Sequence, residues 1–257
     1  MIALFRTALT IVIAAVLTFV FASAVIIAAL LGVKDRPGGL YDRLPRIWAQ
    51  AILWAAGANV SLEGTEHLRG GGPYIFTSNH VSLFDILALV NALPRHYFVA
   101  KSELFSIPIF GPGIRAVGTI PIQRENQKAA FGSYDEAARR IRAGASVVVF
   151  PEGTRGTSYP IRPFKKGPFV LAVKAGVPIV PSVVYGTIEI LPKKSLLIRP
   201  GHVTVRLLEP VPTAGLDYED RDALARTVRE RMWSAMDEMR AQGAQEAAIS
   251  ARGARSV

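Results

Sequence analysis

The chain has no cysteine. That excludes disulfides, a thiolate nucleophile and thiolate-ligated metal sites, and it leaves no sign of an oxidising compartment. No serine stands in a nucleophile-elbow pattern, so the usual sequence mark of an acyl-enzyme on serine is missing too. Acidic residues are short, at 20 Asp and Glu against 30 Lys and Arg. Zinc-finger, aromatic RNA-binding and basic-zipper patterns are absent as well, which removes the common reasons for a basic chain to bind nucleic acid.

Charge is missing altogether from residues 7–33. At about 1.5 Å per residue a helix of that length spans roughly 40 Å, more than the roughly 30 Å hydrocarbon core of a bilayer. A mean hydropathy of +0.29 over 257 residues fits a chain with such a segment. Ala22-Ser23-Ala24 resembles a signal-peptide cleavage site. Apolar sequence continues for nine residues beyond it, however, so a retained membrane helix is the expectation.

KDRPGG at 34–39 is a charged, turn-rich break. LPRIWAQAILWAAG at 44–57 then shows apolar residues in helical spacing. Trp48 and Trp54 beside Arg43 and Arg46 suit an amphipathic helix at headgroup level, and an ordinary helix packed on the following domain is equally compatible.

Residues 58–216 hold the charge excess, eighteen Lys and Arg against ten Asp and Glu. A basic domain behind an anchor points to an anionic lipid surface, an anionic substrate, or both. Strand-like runs near 59–63, 74–78, 96–100, 118–122, 145–150, 178–185 and 202–207 alternate with helical stretches near 83–92, 126–143, 167–175 and 217–241. The alternation predicts an α/β fold with a mixed, mostly parallel sheet of about seven strands flanked by helices. The expected divisions are a membrane anchor and interfacial helix over 1–57, an α/β domain over 58–241, and a disordered tail over 242–257.

NHVSLFD at 79–85 sets a histidine at the end of one apolar run and an aspartate at the start of the next. On one continuous helix His80 and Asp85 would lie about 140° apart and could not pair. They can pair if His80 is on the turn leaving a strand and Asp85 in the first helical turn. Ser82-Leu83-Phe84-Asp85 also fits a capping box, in which the same aspartate merely ties down backbone N–H groups. The seven residues alone allow either reading. In the catalytic one, the carboxylate fixes the imidazole tautomer and makes it fit to take a proton from a substrate hydroxyl.

FPEGTRG at 150–156 follows a strand-like run, so it forms a tight loop at a sheet's carboxyl edge, where ligands commonly sit in α/β folds. Arg155 there suits bidentate phosphate binding. Arg162, Lys165 and Lys166 follow just before a helix start, and Lys166 reads as solvated. GTIPIQR at 118–124 adds Arg124 at another strand end, and Lys101 stands at a third. Three strand ends each delivering a cation, with His-Asp at a fourth, describe a phosphate cradle beside a base.

With these residues in view, the chain resembles the glycerolipid acyltransferase family, in particular 1-acyl-sn-glycerol-3-phosphate acyltransferases. The likeness covers roughly 40–210 in four ordered blocks: NHVSLFD, GTIPIQR, FPEGTRG and VPIVP at 177–181. KSEL at 101–104 and PFKKG at 163–167 also look like recurring family sequences. One departure is Gln123, where the family often has Asp before the arginine.

The resemblance implies that His80 is the base, Asp85 its orienting partner, and the nucleophile a substrate alkoxide attacking an acyl thioester. It implies that Arg124, Glu152, Gly153, Thr154 and Arg155 bind the glycerol-phosphate part, with Lys101 a further phosphate contact. It implies no metal or resident cofactor, with acyl-CoA or acyl carrier protein as co-substrate. The implied setting is the inner, cytoplasmic membrane with the catalytic domain facing the cytoplasm. A different acceptor would keep the chemistry: another lysophospholipid, a lyso-ornithine lipid or glycerol 3-phosphate. A non-catalytic lipid-binding protein would need a degenerate site, which the intact His80, Asp85, Glu152 and Arg155 argue against.

Overall fold

The computed structural model describes residues 1–122 and 127–253, with the backbone alone for 127–131 and 246–253. Its first element is the charge-poor helix α1, Ile2–Leu30. The amphipathic helix α2, Leu40–Ala56, follows and ends on Gly57 in a left-handed cap. The seven strands are β1 Ala58–Glu63, β2 Ile75–Ser78, β3 Tyr97–Lys101, β4 Ile120–Ile122, β5 Val147–Val149, β6 Ile179–Tyr185 and β7 Gly201–Leu207. They form one sheet in the order β1-β7-β6-β2-β5-β3-β4. Every neighbouring pair is parallel except β6 with β7. The expected mixed, mostly parallel seven-stranded sheet is therefore present.

The remaining helices are α3 Phe84–Ala92, α4 Phe110–Ala116, α5 Gln127–Arg142, α6 Gly167–Ala175, α7 Thr187–Ile190 and α8 Arg221–Gly253. Alternate strand residues face opposite layers, as the two-residue period demands. Ile75, Val147, Val149, Ile179 and Val183 pack with the buried faces of α5, α6 and α8. Phe76, Val148, Val180, Val184 and Val203 pack with those of α2 and α3. Cover on both faces explains why the central strands β2, β5 and β6 read as nearly continuous apolar runs, while β1 and β7 carry polar residues on a more open face.

The short helices α4 and α7 were not visible in the sequence. α4 has the sequence FGPGIRA, which reads as a breaker but is held against α1. A Cβ at Gly113 would lie 2.7 Å from Ala22 Cβ, so only glycine admits this approach. α8 also differs from expectation: it runs to Gly253, past the point where a tail from 242 was expected. Ala, Gln and Glu are strong helix formers, and a helix already nucleated upstream propagates through them without an apolar face.

α1 lies alongside the domain. The Ile198 backbone N–H donates to Thr7 Oγ1 at 2.9 Å, and Trp48 Nε1 donates to Thr18 Oγ1 at 2.9 Å. Its other side is bare: Leu4, Phe5, Ile11, Val12, Val16, Phe19, Val20 and Ile27 are all exposed. On α2 the two tryptophans part company, Trp48 turning to α1 while Trp54 stays 75% exposed. Arg46 does not reach outward: it pairs with Asp42 and donates to the carbonyls of Val90 and Leu93 at the end of α3.

Candidate active site

β2, β5, β3 and β4 are consecutive in the sheet and mutually parallel, so their carboxyl ends share one edge. His80 leaves β2 on that edge, Arg155 follows β5, and Lys101 ends β3. Arg124 follows β4, and it lies outside the described residues.

The chain is fixed where it leaves the sheet. Asn79, 1% exposed, takes the Val184 N–H on Oδ1 at 2.8 Å and donates Nδ2 to Val184 O at 2.9 Å. Its side chain thus supplies one more rung between β2 and β6 after the last backbone pair, Ser78 with Ser182. The turn that follows brings His80 back over the start of α3.

His80 Nδ1 is 2.8 Å from Asp85 Oδ2. The same oxygen accepts the Val81 and Ser82 backbone N–H groups at 2.7 and 2.9 Å. Oδ1 accepts the Thr187 hydroxyl, so the fully buried carboxylate has four donors. Ser82 Oγ accepts from the Phe84 N–H at 3.2 Å, so the helix-start reading also holds in part. An ionised carboxylate only accepts, which places the hydrogen on Nδ1 and leaves the lone pair on Nε2. The His80 ring stacks on Phe150 with centroids 4.1 Å apart, which removes its remaining rotational freedom.

The FPEGTRG loop is stapled to this base. Gly153, at φ +80°, turns the loop in a conformation that other residues rarely adopt. Glu152 Oε1 accepts the His80 N–H at 2.9 Å, and Gly156 N donates to His80 O at 2.7 Å. Glu152 Oε2 takes Arg162 Nε at 2.7 Å, and Arg162 also donates to Thr154 O. Both Glu152 oxygens are thus engaged by protein groups, where the sequence led to an expected substrate contact. Arg162, expected near an anion, instead neutralises this carboxylate. Lys166 pairs with Asp222 on the surface, in keeping with its reading as solvated.

His80, Lys101, Gly153, Thr154 and Arg155 line one cavity of about 510 Å³. The rest of its wall is mostly apolar and comes from α1, α2, α3, α4 and β3, including Phe21, Ala22 and Val25 of α1 and Val117 just after α4. Leu83 and Leu104 line it and are themselves exposed, so the cavity opens beside them. A second cavity of about 440 Å³ meets the first at Lys101, Phe150 and Thr154 and adds Glu152 and Lys165. The arrangement has what acyl transfer to a hydroxyl needs: an oriented base, two cations near it, and an apolar slot of ligand size.

Three participants went unread in the sequence. Thr187 carries no motif and reaches Asp85 only because β6 and α7 bring it there. Lys193 Nζ donates to Arg155 O at 2.7 Å across 38 residues. Asn79 stood in the quoted motif, but nothing local revealed its strand-mimicking role.

The chain is similar to known proteins in sequence and in fold. The family model described as Acyltransferase matches residues 59–185. 1-acyl-sn-glycerol-3-phosphate acyltransferase alpha from Ovis aries is 36% identical over 203 residues, covering 78% of this chain and 71% of that protein. The Homo sapiens alpha enzyme is also 36% identical, over 78% of this chain and 72% of its own length. The crystal structure of the 1-acyl-sn-glycerophosphate (LPA) acyltransferase PlsC from Thermotoga maritima superposes with a TM-score of 0.78 at 28% identity. It covers 93% of this chain and 96% of the other.

Proposed function

The chain belongs to the 1-acyl-sn-glycerol-3-phosphate acyltransferase family, and on that premise we propose that it acylates the sn-2 hydroxyl of 1-acyl-sn-glycerol 3-phosphate, giving phosphatidic acid. The donor is an acyl thioester, acyl-CoA or acyl carrier protein. The observation that carries the reading is the His80–Asp85 pair opening on the same cavity as Lys101 and Arg155.

His80 Nε2 takes the hydroxyl proton as the acceptor oxygen attacks the thioester carbonyl carbon, and Asp85 stabilises the imidazolium. The C–O bond forms, the tetrahedral intermediate collapses, the C–S bond breaks, and the departing thiolate recovers the proton from His80. Transfer is direct, without an acyl-enzyme. Lys101 and Arg155 hold the acceptor phosphate, with Arg124 expected to add a third cation. Glu152 positions His80 through its backbone. The apolar cavity receives an acyl chain, and the adjoining cavity leaves room for the second substrate.

The membrane is the source of the acceptor. Eight exposed apolar side chains on α1, at about 1.5–3 kcal/mol each, favour burial by more than roughly 10 kcal/mol, so this face sits in lipid. Because α1 is bonded to the domain from Thr7 to Thr18, we infer that it lies along the bilayer surface, half-immersed. Lys34, Arg36 and Arg43 after α1 suit the anionic surface of a cytoplasmic leaflet, the side where thioester donors are found.

The test is a panel of lyso-lipids offered to purified protein with acyl-CoA and with acyl carrier protein donors, read by product mass. Phosphatidic acid should form from lysophosphatidic acid and vanish with His80→Ala. Preference for an acceptor without phosphate, or turnover in that variant, would overturn the reading.

A further inference from the structure

Among the described residues beyond Val33, the most exposed large apolar side chain is Leu196, at 80%. It stands in the 191–200 loop, LPKKSLLIRP, between α7 and β7. The loop is held firmly. Ser195 N donates to Pro192 O at 3.0 Å and Arg199 N to Ile190 O at 3.0 Å, while Ile198 is buried in the core. Lys194 is kept at φ +72°, a left-handed conformation costly for a lysine. A fold that fixes both a strained lysine and a bare leucine calls for a use of that shape.

The surroundings say what the use is. Ile198, two residues from Leu196, is the residue bonded to Thr7 of α1. Pro200 lies beside Gly57, the cap of α2, where the Arg6 side chain of α1 also arrives. Exposed Trp54 is in the last turn of that same helix. Trp54 and Leu196 are thereby exposed apolar side chains close to the first turns of α1, with Lys194 and Arg199 exposed in the same loop as Leu196.

We propose that this loop is a second membrane contact, in which Leu196 enters the acyl region of an anionic bilayer while Lys194 and Arg199 meet headgroup phosphates. Lys193 of the same loop bonds Arg155 O, so the surface contact lies one side chain from the loop that holds the acceptor phosphate. An acidic carrier protein would use the cations but would leave Leu196 without a partner, and its nearness to the lipid-facing helix favours lipid. The proposal rests on α1 lying in the bilayer surface.

A chain without cysteine makes the test clean, because each introduced thiol is unique. Leu196→Cys, Val12→Cys on the outer face of α1, and Ala214→Cys beyond the far end of β7 are labelled with a fluorophore. The full-length proteins are mixed with vesicles carrying nitroxide lipids, of phosphatidylcholine alone or with phosphatidylglycerol. The label at 196 should be quenched, more so with phosphatidylglycerol, and the label at 214 should not. Lys194→Glu in the Leu196→Cys background should lower that quenching by about five-fold or more, given the contribution of each cation near an anionic surface.

Quenching at 12 with none at 196 would overturn the loop contact alone, and loss at both would overturn the reading of α1 as well. Quenching at 196 indifferent to phosphatidylglycerol and to Lys194→Glu would overturn the anionic recognition. A label at 196 that responds to added acyl carrier protein and not to vesicles would replace lipid by protein as the partner.

Discussion

Glu152 and His80 are joined through the backbone: Glu152 Oε1 accepts the His80 N–H at 2.9 Å, not the ring. Two loops from neighbouring strands are locked together at the base, and the lock is a carboxylate whose other oxygen is paired with Arg162. A group so placed governs rate rather than affinity.

Glu152→Ala should therefore lower kcat by about ten- to a hundred-fold, since an orphaned buried N–H costs about 1–3 kcal/mol, while the acceptor KM moves little. Glu152→Gln should recover part of the loss. Steady-state kinetics decides it, and a KM rise at constant kcat would return Glu152 to the substrate.

Thr187 holds the far oxygen of Asp85. Thr187→Val keeps the shape and removes a donor worth about 1 kcal/mol, so kcat should fall about five-fold. Thr187→Ser should restore the rate, which lost side-chain bulk alone would not explain.

Arg155→Ala should raise the acceptor KM by about ten-fold or more, in line with the 1.5–3 kcal/mol of a charge-assisted hydrogen bond. Arg155→Lys should recover only part, because an ammonium cannot grip a phosphate with two parallel bonds. Lys101→Ala should act in the same direction on KM, and the donor KM serves as the control.

Val117 lines the apolar cavity beside Val25. Val117→Trp fills part of that space and should shift the preferred acyl chain to a shorter one, each excluded methylene costing about 0.8 kcal/mol. Competition between acyl donors of different length, followed by product mass, shows the shift.

His96 is pushed down to about 4, chiefly because burial disfavours its charged form, with Arg46 adding to the effect. The unfolded chain binds that proton near 6.5, so stability is lost as pH falls from about 6.5 towards 4. His96→Asn should flatten part of that slope in denaturant melts across the window.

Much of this was legible in the sequence, for identifiable reasons. The central strands announced themselves because cover on both faces needs continuous apolar runs, and β7 did so by its two-residue alternation. That His80 and Arg155 follow strand ends and that Asp85 opens a helix was legible in their motifs, and the structure pairs His80 with Asp85 as one of the two readings expected. Long-range contacts were not readable: Thr187 meets Asp85 across 102 residues, and Lys193 meets Arg155 across 38. Glu152 was visible as a residue but not as a staple, since its partner is a backbone N–H that no side-chain pattern marks. α4 was hidden because its glycines deny a helix locally and permit one only against Ala22.

The close fit of Gly113 on Ala22, and the place of Phe21, Ala22 and Val25 in the cavity wall, bear on how this enzyme can be handled. The first helix is as much a part of the vessel as a mooring for it. Trimming it away to obtain a water-soluble catalyst would open one wall of the apolar cavity. Solubility would have to be sought by recolouring its outer side with polar residues, leaving the inner one untouched.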